Sequence, residues 1–179
     1  MNGCKSKASK FIIITTIISL AFLTISVSKS SIIFAQDAEN KYISSLSGDN
    51  EVPPVKTNAS GSVWFKTNSD NIMYSINVTN IQDVTAAHIH SGIEGENGPV
   101  VVTLYKSENA GKTPEELASG NITADMLEGP MTGKQISDLV TAMQNGETYV
   151  NVHTKQNPDG EIRGQLSNEE PQYGGGSTL

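Results

Sequence analysis

The strictest constraint on this chain is an alternation in residues 71–79. Ile72, Tyr74, Ile76 and Val78 take one parity there, and Met73, Ser75, Asn77 and Thr79 take the other. Successive side chains of a strand point to opposite faces, so this run makes a strand with one face in a core and the other wet. Six further stretches rich in β-branched and aromatic residues join it: 42–47, 61–67, 84–90, 100–105, 147–153 and 161–166. Gly, Asn, Asp and Pro separate them. Short strands between turn residues predict an all-β fold, an antiparallel β-sandwich of seven or eight strands.

Two local signals refine that outline. In Asn157-Pro158-Asp159-Gly160 the proline presets the second turn position and glycine closes the fourth, so the flanking strands pair as a hairpin with His153 near Glu161. Residues 134–144 change period: Ile136, Leu139, Val140 and Met143 recur at helical spacing, with Thr132 as the cap and Gly146 beyond the end. One short helix packed on the sheet is expected, with a further turn of helix over 124–127.

The N-terminal segment has another purpose. Lys5, Lys7 and Lys10 precede 18 uncharged, mainly apolar residues, 11–28, and the chain turns polar after Ala35. Residues 1–35 therefore read as a signal peptide cut after Ala35, or as an uncleaved N-terminal anchor. Residues 36–167 form the β domain, and 168–179, with Asn168-Glu169-Glu170-Pro171 and a triple glycine, form a flexible tail. The destination is the extracellular space or the cell surface.

Charge and cysteine usage exclude several classes. The chain has 12 basic and 19 acidic residues, and four of the lysines lie in the first 35 residues, so the exported part carries net −11. That balance lacks the basic footprint of a nucleic-acid protein and repels anionic lipid, leaving the uncleaved N-terminal segment as the one route to a membrane. Cys4 is the sole cysteine and precedes the domain, which excludes a disulfide or a cysteine-based site there.

Several stretches together resemble the chordin-type, or CHRD, domain. They are the run from Leu46 to Val55, Thr85-Ala86-Ala87-His88-Ile89-His90-Ser91-Gly92, Gly98-Pro99-Val100-Val101-Val102-Thr103-Leu104, and Tyr149 through Gly164. They occur in family order. The resemblance implies an extracellular module of the kind that binds a cell-surface or extracellular protein or glycan; it implies no agreed biochemical activity.

All three histidines fall in those stretches. His88 and His90 are two apart, so on a strand they share a face at about 6.6–6.8 Å along the chain. With His153 from another strand they form a candidate three-histidine metal site, suited to copper or zinc. The alternative is a set of hydrogen-bonded rings in a polar pocket beside the 92–98 loop. The His-x-His strand is also similar to that of copper-zinc superoxide dismutases, which are β-sandwiches, and this implies a metal-dependent redox enzyme as the rival reading. No catalytic triad, nucleotide loop or calcium loop is present, and no catalytic residue is assigned. Arg163, the only arginine, is expected to clamp the carboxylate of Glu51 or Glu161, or the carbonyls of a loop. Glu161 is alternatively expected to orient His153. Asn58, Asn77 and Asn121 begin glycosylation sequons.

Overall fold

The structure, a computed structural model, describes residues 41–107 and 115–166. The expected export segment, 1–35, and the expected tail, 168–179, lie outside those residues. Eight strands form among the described residues: β1 (Lys41–Ser47), β2 (Ser60–Thr67), β3 (Ile72–Thr79), β4 (Val84–Ser91), β5 (Val100–Lys106), β6 (Glu116–Ile122), β7 (Thr148–Thr154) and β8 (Ile162–Leu166). A single α-helix among the described residues, α1 (Ile136–Gln144), precedes β7.

The all-β antiparallel expectation holds, and the sheet is continuous. Its order is β5-β4-β7-β8-β1-β2-β3-β6, and the two end strands, β5 and β6, approach each other so that the sheet is nearly a barrel. Sheet twist drives this closure, because eight strongly twisted strands bring opposite edges together. Inside lies one core, to which Ile72, Tyr74, Ile76 and Val78 of β3 and Val150 and Val152 of β7 all contribute. The alternation in β3 thus selects its buried face. Ser75 departs from it, being buried although its parity is the outward one.

Strand β6 escapes the sequence pattern. Its residues, ELASGNI, include only two large apolar side chains, Leu117 and Ile122, and it is a strand because it extends the β3 ladder from Ile72↔Ile122 to Asn77↔Glu116. The helix buries Ile136, Leu139 and Met143, with Val140 partly covered. Its cap is not Thr132 but Gln135, whose backbone N–H donates to the Asp138 carboxylate at 2.8 Å. An acidic side chain three residues into the helix satisfies a free N–H better than a hydroxyl set apart by Gly133 and Lys134. Gly146 follows the helix with φ +68, as the left-handed end of a helix requires. The Asn157–Gly160 turn forms with Gly160 N–H donating to Asn157 O at 3.1 Å, and it joins β7 to β8. The turn expected at 124–127 is a 3-10 helix, Ala124–Met126.

Candidate metal centre

The pairing of β4 with β7 builds the site. Its register puts His90 opposite Tyr149, His88 opposite Asn151 and Ala86 opposite His153. Val150 and Val152 face the core, so Tyr149, Asn151 and His153 share the other face with His88 and His90. Arg163 of β8 pairs with Asn151 and joins this layer.

The three histidines meet there. One ring nitrogen from each lies within 4.8 Å of the others, and all three rings are half-buried. Ring centroids are 4.8 Å apart for His88 and His153, 5.6 Å for His88 and His90, and 5.9 Å for His90 and His153.

Hydrogen bonds settle which nitrogen each ring presents. A carbonyl only accepts, so His90 donates from Nδ1–H to Gly98 O and His153 donates from Nδ1–H to Pro158 O, each at 2.9 Å. Both rings therefore hold Nε2 bare. The His153 Nε2 accepts from His88 Nδ1–H at 3.0 Å. The His90 Nε2 is buried and has no hydrogen-bond partner among the described residues. An orphaned acceptor of this kind costs about 1–3 kcal/mol, which a fold tolerates at a functional position more readily than elsewhere.

The rings stay neutral near pH 7. Burial, then the nearby His153 and His90, depresses His88 to about 4, although Glu128 pulls it the other way. Burial likewise lowers His90 and His153, the latter against the pull of its Pro158 bond and Asp159. Neutral imidazole is the form that ligates a metal. Two donor atoms bound at about 2.0–2.1 Å to a tetrahedral ion stand about 3.3–3.4 Å apart, so one ion needs the His88–His153 gap to widen slightly and the widest gap to close. Each ring has to move by under about 1 Å. The donor set fits copper or zinc.

The remaining expected site residues sit beside this cluster in a different role. Arg163 is 2 % exposed. It takes the loop-carbonyl option: Nη2 donates to Ile93 O at 3.2 Å and Glu96 O at 2.8 Å, and Nη1 donates to Asn97 Oδ1 at 3.1 Å. Its guanidinium carbon lies 3.4 Å from the centre of the Tyr149 ring, which also stacks on His90 with centroids 4.9 Å apart. Among the described residues it clamps no carboxylate, because the 92–98 loop fills the fork. Glu51 instead accepts from Asn151 Nδ2 at 2.7 Å, and burial raises it to about 7 against the lowering influence of Arg163. Glu161 does not orient His153, whose Nδ1 is taken by Pro158. It accepts from Thr57 at 2.8 Å and Thr154 at 2.7 Å, tying the 48–60 segment to the end of β7.

Sequence reasoning passed over Tyr149, Asn151 and Glu128. Tyr149 and Asn151 precede His153 by four and two residues, so the period of two already put them on the histidine face. No comparable pattern points to Glu128, which reaches the neighbourhood from a loop.

The family model of the CHRD domain matches residues 42–166. No curated protein and no solved structure matches the chain. Among the described residues no helix is long and apolar enough to cross a membrane.

Proposed function

The chain belongs to the CHRD domain family, and we propose that it is an exported or cell-surface binding module that holds one copper or zinc ion between His88, His90 and His153. The observation that carries this reading is the convergence of the three rings, with the outer nitrogens of two of them held by backbone carbonyls and the inner ones bare. Metal-ligating histidines use their second nitrogen in this way, because the bond fixes tautomer and ring direction before the ion arrives. Net charge supports it too, since an acidic domain concentrates cations. Three protein ligands leave a fourth place for water or for a donor from an extracellular protein or glycan. Export rests on the basic and apolar N-terminal segment, and protein recovered outside the cytoplasmic membrane is expected to begin near Gln36 by intact mass.

The test is calorimetric titration of chelator-stripped protein with Zn(II) and Cu(II). One equivalent is expected to bind, and His88→Ala, His90→Ala and His153→Ala each to abolish stoichiometric binding. Wild-type protein that takes up neither ion would overturn the metal reading and leave the surface module alone.

A further inference from the structure

The metal-free cluster is closed upon itself. His88 Nδ1–H donates to His153 Nε2, so the two nitrogens that face each other share one proton. An ion bound by both nitrogens has to displace that proton. The His88 ring stays neutral only if its proton moves from Nδ1 to Nε2, the nitrogen on the far side of the ring. His90 and His153 each have a backbone carbonyl for their outer N–H. Among the described residues, no such carbonyl is bonded to His88.

Strand β5 supplies a different acceptor. Thr103 is the cross-strand partner of His88, on the side away from β7. Its hydroxyl donates to Glu128 Oε1 at 2.7 Å, and the Glu128 backbone N–H donates to Val101 O at 2.9 Å, so this loop residue is fastened along β5 from both ends. The Glu128 charge acts on the His88 ring, favouring its protonated form against burial. We infer that Glu128, fastened by Thr103, is the positioning residue for His88: it accepts the Nε2–H that His88 acquires when its bond to His153 opens to admit the ion. The balance is one proton lost at Nδ1 and one gained at Nε2, carried by solvent, with no net release from the ring. Carboxylate, histidine and metal then stand in line, an arrangement that raises the basicity of the ligating nitrogen.

This inference rests on the metal reading above, and the experiment separates the two. Zn(II) affinity is measured for wild type, Glu128→Ala, Glu128→Gln and Thr103→Val. Nitrogen-15 spectra of the His88 ring, with and without Zn(II), report which nitrogen carries the proton. In wild type the His88 proton is expected on Nδ1 without zinc and on Nε2 with it. Glu128→Ala is expected to bind about 10–100-fold more weakly, Glu128→Gln to recover part of that loss, and Thr103→Val to lose less. Glu128→Gln keeps an oxygen for the Thr103 hydroxyl, so its affinity is readable even if the alanine variant folds poorly. Wild-type affinity in both Glu128 variants, or a His88 proton that stays on Nδ1 in the zinc form, would overturn the role of Glu128 while leaving the metal site standing. A wild type that binds no zinc would remove the metal reading itself.

Discussion

Strand β7 presents Tyr149, Asn151 and His153 along one face, and the fold treats its two ends differently. At the Tyr149 end most polar groups are matched. Arg163 fills its fork with the 92–98 loop, Gly98 N–H donates to the Tyr149 hydroxyl at 3.1 Å, and Asn151 donates to Glu51, while the Asn151 Oδ1, Gln165 Oε1 and Thr148 Oγ1 atoms are left over. At the His153 end three neutral rings crowd together with one bond among them and one bare buried nitrogen. Both ends are polar, the Tyr149 end fully buried and the histidine rings half-buried, but burial is not what sets their roles. What does is the supply of donors: at one end the loop acceptors are met by Arg163, at the other a single ring proton lies between His88 and His153 and the His90 Nε2 has none. The first arrangement holds loops to the sheet; the second has room for a cation.

On that contrast, damage at the two ends has different consequences. The largest effect is expected for Arg163→Ala, which strips three loop acceptors of their donor and leaves Glu51 without its nearby positive charge. A loss of about 3–5 kcal/mol in unfolding free energy by denaturant titration is expected, as when a buried charge network is broken from one side. Arg163→Lys is not expected to rescue it, since a single ammonium cannot reproduce the planar fork over Tyr149. Stability close to wild type in Arg163→Ala would show that the matched end is not what holds the loops.

Acid–base behaviour sharpens the comparison, because the ends have opposite slopes. Glu51, raised to about 7 by burial, keeps a proton in the folded protein that the unfolded chain gives up near 4.5. Its contribution is fully present below 4.5 and is lost as pH rises through about 7. His88, lowered to about 4, runs the other way: its contribution is present above 6.5 and is lost as pH falls through about 4. Between pH 4.5 and 6.5 the two slopes oppose each other. In Glu51→Gln the Glu51 slope is gone, so stability is expected to fall more steeply with acid than in wild type across that window, in melts of metal-free protein. Parallel wild-type and Glu51→Gln curves would show that Glu51 has no such shift.

The smallest effect is expected at the histidines when no ion is supplied. His88→Ala removes one hydrogen bond between half-buried rings, so the stability of metal-free protein is expected to change by about 1 kcal/mol or less. The same variant is expected to lose metal binding completely. A loss as large as that of Arg163→Ala would make the cluster a structural element and erase the difference between the ends.

Much of the scaffold is legible locally. The alternation in β3, the Pro-Gly turn after β7 and the helical spacing of Ile136, Leu139 and Met143 each reflect a short-range period that the chain keeps wherever it is placed. Strand β6 is not legible, since its sequence suits a loop as well, and it becomes a strand through the ladder it completes with β3. The helix cap falls at Gln135 rather than Thr132 because the reciprocal Gln135–Asp138 contact depends on where the chain enters the helix. At the site, the spacing of His88 and His90 is enough by itself to put two rings on one strand face.

Residue chemistry and local period, then, were determined by the sequence itself: an all-β domain, one hairpin, one helix, and three histidines as the donors available in a domain without cysteine. Which of these meet was decided by tertiary structure. His88 and His153 are 65 residues apart, and only the β4–β7 register, set by apolar burial on the other face, brings their nitrogens to 3.0 Å. Arg163 could have served Glu51, Glu161 or a loop, and the loop won because strand pairing places the 92–98 carbonyls within reach of its fork. Glu128 comes to His88 through a loop fastened along β5, a position that no pattern around Glu128 encodes. Long-range pairing depends on how every strand shares one core, and that is a property of the whole sheet rather than of any segment.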